Sequence, residues 1–429
     1  MHVLPADLPS HTKKDATIAD VRDALHESVR LHLASDVKLG VFLSGGVDSS
    51  AIANIAARNA QSQILTFTLS FEEKDYDEGP VAREIAKAIG TEHKEVRFTE
   101  GDFIESLDQA LDSIDQPTFD GLNSYYISRA VREAGIKVAL VGSGGDELFG
   151  GYQSFRNLPR VQTIASVASW FPKPVGMSLA EIIAALFEYK RNGIGGQARW
   201  AKLPDMMADP GNTLWLYQMA YALFVPQFQS RLLRRHVTGD GLPPMRREEL
   251  QSLISGHSTL AALGILEQSI FLGERLLRDT DVASMAVSLE TRLPLVDTNV
   301  TDVVSRLPDK IRYEPVGRKQ LLRNVGLEGL DPALFARPKR GFLMPFDQWI
   351  RRRLGKHMDQ LMCDARIAES VGLDAATVFA LWNSYRSGRG VYWSRVWAIY
   401  VLLRWCDRHG LRLSGDCNSD RMVGSTRTH

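Results

Sequence analysis

The sequence predicts an α/β protein in which a parallel, twisted sheet carries helices on both faces and is followed by a mostly helical C-terminal layer. Two observations predict this fold. Before Tyr152, four apolar or β-branched runs alternate with helical patterns, and strands that alternate with helices form parallel sheets covered on both faces. After Tyr152, long helical patterns dominate and few strand signals remain.

The elements of the sheet region follow one another in a regular order. Apolar residues at helical spacing predict an amphipathic helix over residues 18–34. Strands are then predicted at 38–43, 64–71, 95–98 and 137–141, with helices at 47–60, 78–89 and across 102–134. This order predicts one sheet whose strands end at a common edge.

Composition narrows the classes of partner. Lys plus Arg and Asp plus Glu are equal at 51 each, so no overall positive charge favours nucleic acid or an acidic membrane. The three cysteines lack the paired spacing of a metal site or disulfide framework, which fits a reducing compartment. No apolar run has the length of a membrane span or signal peptide. We therefore expect a cytoplasmic protein with neither nucleic acid nor membrane as a partner.

The sharpest motif is a Ser-Gly-Gly loop at 44–46 that follows the first predicted strand. A helix begins directly after it with Val47, Asp48, Ser49 and Ser50. Two glycines allow a tight turn, and a helix N-terminus offers free N–H groups and partial positive charge to an anion. A carboxylate at Asp48 would repel a phosphate unless a divalent cation lay between them, which predicts magnesium. The alternative is a simple strand–turn–helix corner with serine as the cap.

A second glycine-rich loop, at 142–151, follows the fourth predicted strand and contains Asp146. Ligands of parallel α/β sheets gather at the carboxyl ends of the strands. That geometry brings Asp146 to the same phosphates as Asp48 and gives one magnesium ion two carboxylates. The alternative is an aspartate that caps a helix among turn glycines.

The motifs and the change in character after the sheet predict the organisation of the chain. A flexible N-terminal segment covers 1–17, and a nucleotide-binding α/β core covers 18–155. A helical layer at 156–410 completes the active site and packs with the core as one unit. A flexible tail covers 411–429.

The two loops together resemble those of the synthetase domain of the asparagine synthetase family, whose nucleotide fold is of the PP-loop ATP pyrophosphatase (adenine nucleotide α-hydrolase-like) type. Residues 278–297 resemble the family's Ser-Met…Leu-Glu-x-Arg-x-Pro block, and residues 337–342 resemble its Arg-Pro-Lys-x-Gly-Phe block. Residues 317–323, Gly-Arg-Lys-Gln-Leu-Leu-Arg, lie between them in family order. The resemblance covers residues 18 to 408.

The resemblance implies roles for individual residues. The implied ATP-binding residues are Phe42, Leu43, Ser44, Gly45, Gly46, Asp48, Ser49, Ser50, Thr68, Leu69 and Gly142. Asp48 and Asp146 are the implied magnesium ligands, and the candidate catalytic residues are Lys339, Asp146, Glu147 and Glu290. Candidate substrate-binding residues are Asp120, Asn123, Ser143 and Arg292.

The resemblance also implies a reaction with ATP and Mg²⁺. A carboxylate attacks the α-phosphate to form an acyl-adenylate and pyrophosphate, and ammonia or another amine then displaces AMP to give an amide. Glutamine-dependent members carry an N-terminal glutaminase domain with a cysteine at position 2, where this chain has His2. We therefore expect ammonia, a separate glutaminase subunit or another amine as the nitrogen source. A homodimer is left open.

One departure from the family bears on the substrate. Three positions before Asp146, asparagine synthetases usually have an acidic residue, whereas this chain has Ser143. The segment expected to bind the acid substrate also contains no arginine that would pair with a free α-carboxylate of that substrate, although Arg129 or Arg292 would serve. The alternative for Arg292 is a structural ion pair with Glu290 or Asp297. Three readings therefore stay open: an asparagine synthetase-like ligase, an amide ligase or cyclase of specialised metabolism of the β-lactam synthetase or lasso-cyclase type, and a non-catalytic nucleotide-binding subunit.

Overall fold

The structure is a computed structural model that describes residues 15–118, 121–168, 202–237, 239–337 and 343–412. Five strands pair in one parallel sheet within these ranges. The strands β1 to β5 span Leu39–Phe42, Leu65–Ser70, Glu92–Arg97, Val138–Leu140 and Glu290–Arg292. The predicted fold class is confirmed.

The strand order places a crevice at the centre of the sheet. The order is β3-β2-β1-β4-β5, so the chain leaves β1 toward one edge and later returns to build the other. Adjacent strands whose connections run in opposite directions leave a gap at their carboxyl ends, where α/β proteins bind ligands. The loops that follow β1 and β4 flank this gap.

The four predicted strands are all present, and the structure adds a fifth. β3 begins at Glu92, three residues before the predicted start at residue 95. The sequence did not predict β5, which spans only Glu290–Arg292 and pairs in register with β4 from Val138↔Glu290. Its three residues are Glu, Thr and Arg, so the hydrophobic pattern that indicates a strand is missing.

The helices of the described ranges account for most of the remaining chain. Helices α1 to α8 span Ile18–His32, Val47–Asn59, Gly79–Ile89, Glu100–Glu105, Leu107–Ser113, Gly121–Glu133, Gly145–Phe149 and Gln153–Ala168. Helices α9 to α13 span Leu203–Ala208, Thr213–Tyr221, Pro226–Leu232, Pro244–Ile254 and Thr259–Leu266. A π-helix, Glu267–Leu276, runs from α13 into α14, Leu277–Met285. Helices α15 to α22 span Thr298–Ser305, Asp309–Tyr313, Gln320–Gly326, Phe346–Arg351, Arg353–Met362, Ala365–Ser370, Ala375–Arg386 and Trp393–Arg408, and 3₁₀ turns span Pro294–Val296 and Pro332–Phe335.

Both faces of the sheet are covered. On one face, Val41 of β1 and Leu140 of β4 pack in a buried cluster with α1 and α2. On the other face, Phe67 of β2 and Ala139 of β4 pack against Val131 of α6. Successive side chains of a strand point to opposite faces, so short apolar strands serve two cores at once.

Within the described residues, helices predominate after Tyr152, but β5 joins the sheet from within the predicted helical layer. The predicted domain boundaries themselves stay predictions, and the ends at 1–14 and 413–429 lie outside the described residues. No helix in the described part of the chain combines the length and apolar character needed to cross a bilayer.

Candidate active site

The loop after β1 is held in shape by its own serines. The Ser44 N–H donates to the Ser49 hydroxyl at 3.1 Å, and the two hydroxyl oxygens lie 3.1 Å apart. Gly45 has φ +73°, a conformation that favours glycine, and a Cβ there would lie 3.0 Å from Val81 Cγ1. Gly46 caps α2 without a side chain, so N–H groups at the helix start are left for a ligand.

The loop after β4 approaches the first loop closely. A Cβ on Gly142 would lie only 2.6 Å from the Ser49 nitrogen, and one on Gly145 would lie 2.4 Å from Asp48 Oδ1. Gly144 has φ +101° and starts α7, which carries Asp146 in its first turn. Glycine at 142 and 145 therefore permits the contact that brings Asp146 toward Asp48.

The two aspartates converge on one cation, Lys319. The Lys319 Nζ lies 2.7 Å and 2.6 Å from the two carboxylate oxygens of Asp48 and 2.7 Å from Asp146 Oδ1. Lys319 is the residue before α17 and has φ +51°. Its side chain is only 6% exposed, so three charges meet in a nearly closed space.

Lys319 stays charged in this setting. Burial lowers the pKa of Lys319, but the charges of Asp48 and Asp146 raise it more, so its pKa is raised overall. A buried ammonium with two carboxylate partners satisfies the requirement that buried charges be paired. Lys319 belongs to the 317–323 motif, for which the sequence analysis predicted no function.

The aspartate pair supplies two carboxylates of the kind that bind Mg²⁺. In this structure Lys319 Nζ lies at the point where they converge, and the described residues contain no group of three or more His, Cys, Asp or Glu side chains suited to a metal. Mg²⁺ is usually held by one or two protein carboxylates and completed by water and substrate phosphates. Two aspartates beside an anion-binding loop match that pattern.

Two cavities adjoin the first loop. The larger, about 740 Å³, is lined by Gly45, Gly46, Arg318 and Arg323, among others. The smaller, about 360 Å³, is lined by the second loop and by α6, with Asp48 and Asp146 in its wall. Ser44 lines both cavities.

Glu147 lies in the wall of the smaller cavity but is almost completely buried. Its exposed fraction is 1%, and the Tyr152 hydroxyl donates to its Oε1 at 2.7 Å. Burial raises the pKa of Glu147 to about 8. The side chain therefore favours its protonated form more strongly than an exposed glutamate does.

Glu290 and Arg292 pair with each other. Arg292 Nε donates to Glu290 Oε1 at 2.7 Å, and Arg292 Nη1 donates to the carbonyl oxygens of His32 and Ala34 at 2.8 and 2.6 Å. This geometry favours the structural ion pair over a substrate-binding role. Arg129, the other arginine considered for a substrate carboxylate, donates to Glu133 at 2.7 Å.

The remaining predicted residues fall into three groups. Phe42, Ser49, Gly142 and Ser143 line the smaller cavity. Buried side chains that line neither cavity are Leu43, Ser50, Thr68 and Leu69. Asn123 also lines neither cavity, and its buried Oδ1 has no hydrogen-bond partner among the described residues. Lys339 and Asp120 lie outside the described residues. The functional roles of all these residues stay predictions.

The five-stranded parallel sheet and the two glycine-rich loops at its central crevice define a PP-loop-like α/β protein. The asparagine synthase family model matches residues 20–407. The chain therefore belongs to the asparagine synthetase family.

Two relatives that match most of the chain carry the family name, and a third is named as an amidase. "Asparagine synthetase [glutamine-hydrolyzing] 1" of Bacillus subtilis is 26% identical over 92% of this chain and 60% of its own length. A "putative asparagine synthetase [glutamine-hydrolyzing]" of Mycobacterium tuberculosis is 29% identical over 90% of this chain and 57% of its own. "Amidase chyE" of Penicillium rubens is 25% identical over 86% and 58%. The chain thus spans between one half and two thirds of the length of these relatives.

Proposed function

We propose that this protein is an ATP-dependent, AMP-forming ligase that joins a carboxylate to ammonia or an amine. The observation that supports the proposal most strongly is the convergence of Asp48 and Asp146 on one cation beside the Ser44–Gly46 loop. Membership of the asparagine synthetase family supports ATP-dependent amide formation.

The first step activates the acid. A carboxylate oxygen bonds to the α-phosphorus of ATP while the bond from that phosphorus to the β-bridging oxygen breaks, and the electron pair leaves with pyrophosphate. Backbone N–H groups of Gly45 and Gly46 and the hydroxyls of Ser44 and Ser49 would bind the phosphates. Asp48 and Asp146 would hold Mg²⁺, which, when bound, neutralises charge on the phosphate oxygens.

Lys319 contributes a positive charge next to the two aspartates. Its ammonium is within 2.7 Å of both aspartates, so negative charge that develops on the leaving group would meet a preorganised cation. Lys339, from the Arg-Pro-Lys motif, is proposed to supply a second ammonium.

The second step forms the amide. The amine nitrogen bonds to the carbonyl carbon of the acyl-adenylate, loses a proton, and AMP leaves with the electron pair of its phosphate oxygen. Water must be excluded or the intermediate is hydrolysed. The smaller cavity has apolar walls from Phe67, Ile127 and Leu276, which suit that requirement.

The nitrogen source is part of the proposal. Two relatives are named as glutamine-hydrolyzing, and ammonia delivered by a separate glutaminase subunit or taken from solution would serve the same chemistry here.

The cytoplasm is the proposed location.

A product assay tests the reaction class. The protein is incubated with ATP, Mg²⁺ and a panel of acids, and AMP, ADP and pyrophosphate are quantified together with ATP–pyrophosphate exchange. We expect AMP and pyrophosphate, and we expect Asp48→Asn and Asp146→Asn each to lower exchange about 100-fold or more. Asp112→Asn is the control, because that carboxylate pairs with Arg408 on the surface. Formation of ADP and phosphate, or unchanged exchange in both loop variants, would refute the proposal.

A second candidate concerns the acid substrate. Among its described lining residues the smaller cavity has no Lys, Arg or His, and it offers the hydroxyls of Ser124, Ser128 and Thr280. Arg129 and Arg292 are engaged elsewhere. A small dicarboxylate usually requires an arginine, so these observations favour an acid without a free α-carboxylate. The same panel decides: stronger exchange with aspartate than with N-acylated or larger acids would favour asparagine as the product.

A further inference from the structure

The 317–323 segment lines the larger cavity together with the Ser44–Gly46 loop. The lining includes Arg318 and Arg323 of the segment and Gly45 and Gly46 of the loop. Lys319, between the two arginines in sequence, points instead to Asp48 and Asp146. One short segment therefore places cations both at the aspartate pair and in the adjoining cavity.

Within the part of the chain that the structure describes, Arg318 and Arg323 have no carboxylate partner. Arg323 Nε donates to the main-chain oxygen of Arg318 at 2.8 Å, and neither guanidinium forms an ion pair with any described residue. Arg337 in the same cavity differs, since its guanidinium lies 3.6 Å from Glu84. Burial, the largest influence, and the charge of Arg318 lower the pKa of Arg323, and the charge of Asp48 raises it by less.

The two cavities have different characters. The smaller one contains the aspartates, Ser143 and an apolar wall, which suits an acyl-adenylate. The larger one is lined by the glycines of the first loop and by Arg318 and Arg323, which form no ion pair within the described residues, and this part of its lining suits a multiply charged anion. Among the described lining residues, Ser44 alone borders both cavities.

We propose that Arg318 and Arg323 bind pyrophosphate after its bond to the α-phosphorus has broken, and that pyrophosphate leaves through the larger cavity while the acyl-adenylate stays in the smaller one. This inference rests on the proposed function. A guanidinium presents several N–H donors in a plane and binds phosphate oxygens in pairs. Separate compartments let the leaving group depart before the amine arrives.

Carboxylates of Asp75, Asp77 and Glu78 also line the larger cavity. Because like charges repel, they weaken the binding of a polyanion beside the two arginines. We therefore expect pyrophosphate to bind there with a moderate affinity that permits its release.

Direct binding measurements test the inference without knowledge of the acid. Inorganic pyrophosphate and AMP are each titrated, in the presence of Mg²⁺, into the wild-type protein, Arg318→Gln, Arg323→Gln and the double variant. We expect the Kd for pyrophosphate to rise about tenfold with each replacement, because each removes charge-assisted hydrogen bonds. The Kd for AMP should change less than twofold.

The controls separate this inference from the reaction itself. Arg306→Gln removes an arginine that pairs with Asp302 beside another cavity and should change neither affinity. Arg318 is exposed, so Arg318→Gln keeps the test valid if Arg323→Gln does not fold. Unchanged pyrophosphate affinity in Arg318→Gln and the double variant, or equal loss of AMP and pyrophosphate affinity, would overturn the compartment assignment. Failure of the proposed function is a different result, namely no ATP–pyrophosphate exchange by the wild-type protein with any acid.

Discussion

Gly142 shows how strictly the site depends on single residues. Any side chain there would begin 2.6 Å from the Ser49 nitrogen and 2.8 Å from the Asp48 carbonyl carbon. Both are backbone atoms of the first turn of α2, so they cannot rotate away as a flexible side chain would. The contact fixes the distance between the two loops.

We expect Gly142→Ala to separate the loops and weaken the site. Overpacking costs about 1–3 kcal/mol of unfolding free energy, and misplacement of Asp146 relative to Asp48 should lower ATP–pyrophosphate exchange roughly tenfold or more. Chemical denaturation and the exchange assay measure the two effects. Gly211→Ala is the matched control, because a Cβ at residue 211 meets nothing within 4 Å; equal behaviour of the two variants would contradict the role given to Gly142.

Lys319 marks the limit of sequence reasoning at this scale. Asp48 and Asp146 could be paired from sequence because each follows a predicted strand, and parallel strands end at one edge. Lys319 follows no strand and lies 271 positions beyond Asp48 in the chain. Its contacts with the two aspartates depend on how the helical layer packs against the sheet, and no local sequence pattern predicts that packing.

The π-helix Glu267–Leu276 begins with a buried polar cluster. Glu267, its first residue, is completely buried and accepts hydrogen bonds from Tyr217 at 3.2 Å and from Tyr221 at 2.7 and 2.9 Å, with a further short bond from Ser154. The hydroxyls lower the pKa of Glu267, but burial, the largest influence, raises it to about 7. Stretches of π-helix often lie near functional sites.

This cluster predicts a pH dependence of stability. The pKa of Glu267 is about 7 in the folded protein against the ordinary 4.5. Between these values the native state binds more protons than the unfolded state, so unfolding free energy should fall as pH rises from about 4.5 to 7, by roughly 3 kcal/mol. Glu267→Gln removes this titration, and its unfolding free energy should depend less on pH in that window.

Urea denaturation at several pH values measures the difference. Glu274→Gln is the control, since that glutamate lies on the same π-helix with a side chain 48% exposed. It should keep the wild-type slope. Parallel curves for the wild-type protein and Glu267→Gln between pH 4.5 and 7 would show that burial does not perturb this carboxyl as described.

Strands with an apolar sequence of their own can be predicted from the sequence. A strand that forms only because a neighbouring strand pairs with it cannot. β1 and β2 are apolar and buried, and their positions agree with prediction to within two residues at each end. β3 is mostly exposed and alternates weakly, so its start was misplaced. β5 becomes a strand only because β4 offers a free edge, which is a property of the assembled sheet.

At the scale of the molecule, the sheet region and the helical layer share a core. Phe103 of α4 lies with its ring centroid 4.5 Å from Tyr126 of α6 and 5.3 Å from both Phe346 and Trp349 of the C-terminal region. Trp349 Nε1 also donates to Glu73 Oε1 at 2.9 Å. Residues far apart in sequence thus bury one another, and we propose that the two parts unfold together.

Phe103→Ala tests that proposal. Loss of a buried phenylalanine costs about 3–5 kcal/mol, and in a single cooperative unit this cost lowers the midpoint of every structural signal equally. Far-UV circular dichroism follows the whole chain, and tryptophan fluorescence reports on eight tryptophans, of which Trp349, Trp382 and Trp397 are buried in the same core. Both should shift together to lower denaturant, whereas Phe379→Ala, at a side chain 48% exposed, should shift neither. If the two signals separated in Phe103→Ala, the helical layer would be an independently folding unit, and the position of Lys319 between the aspartates would then depend on docking between units and not on a common core.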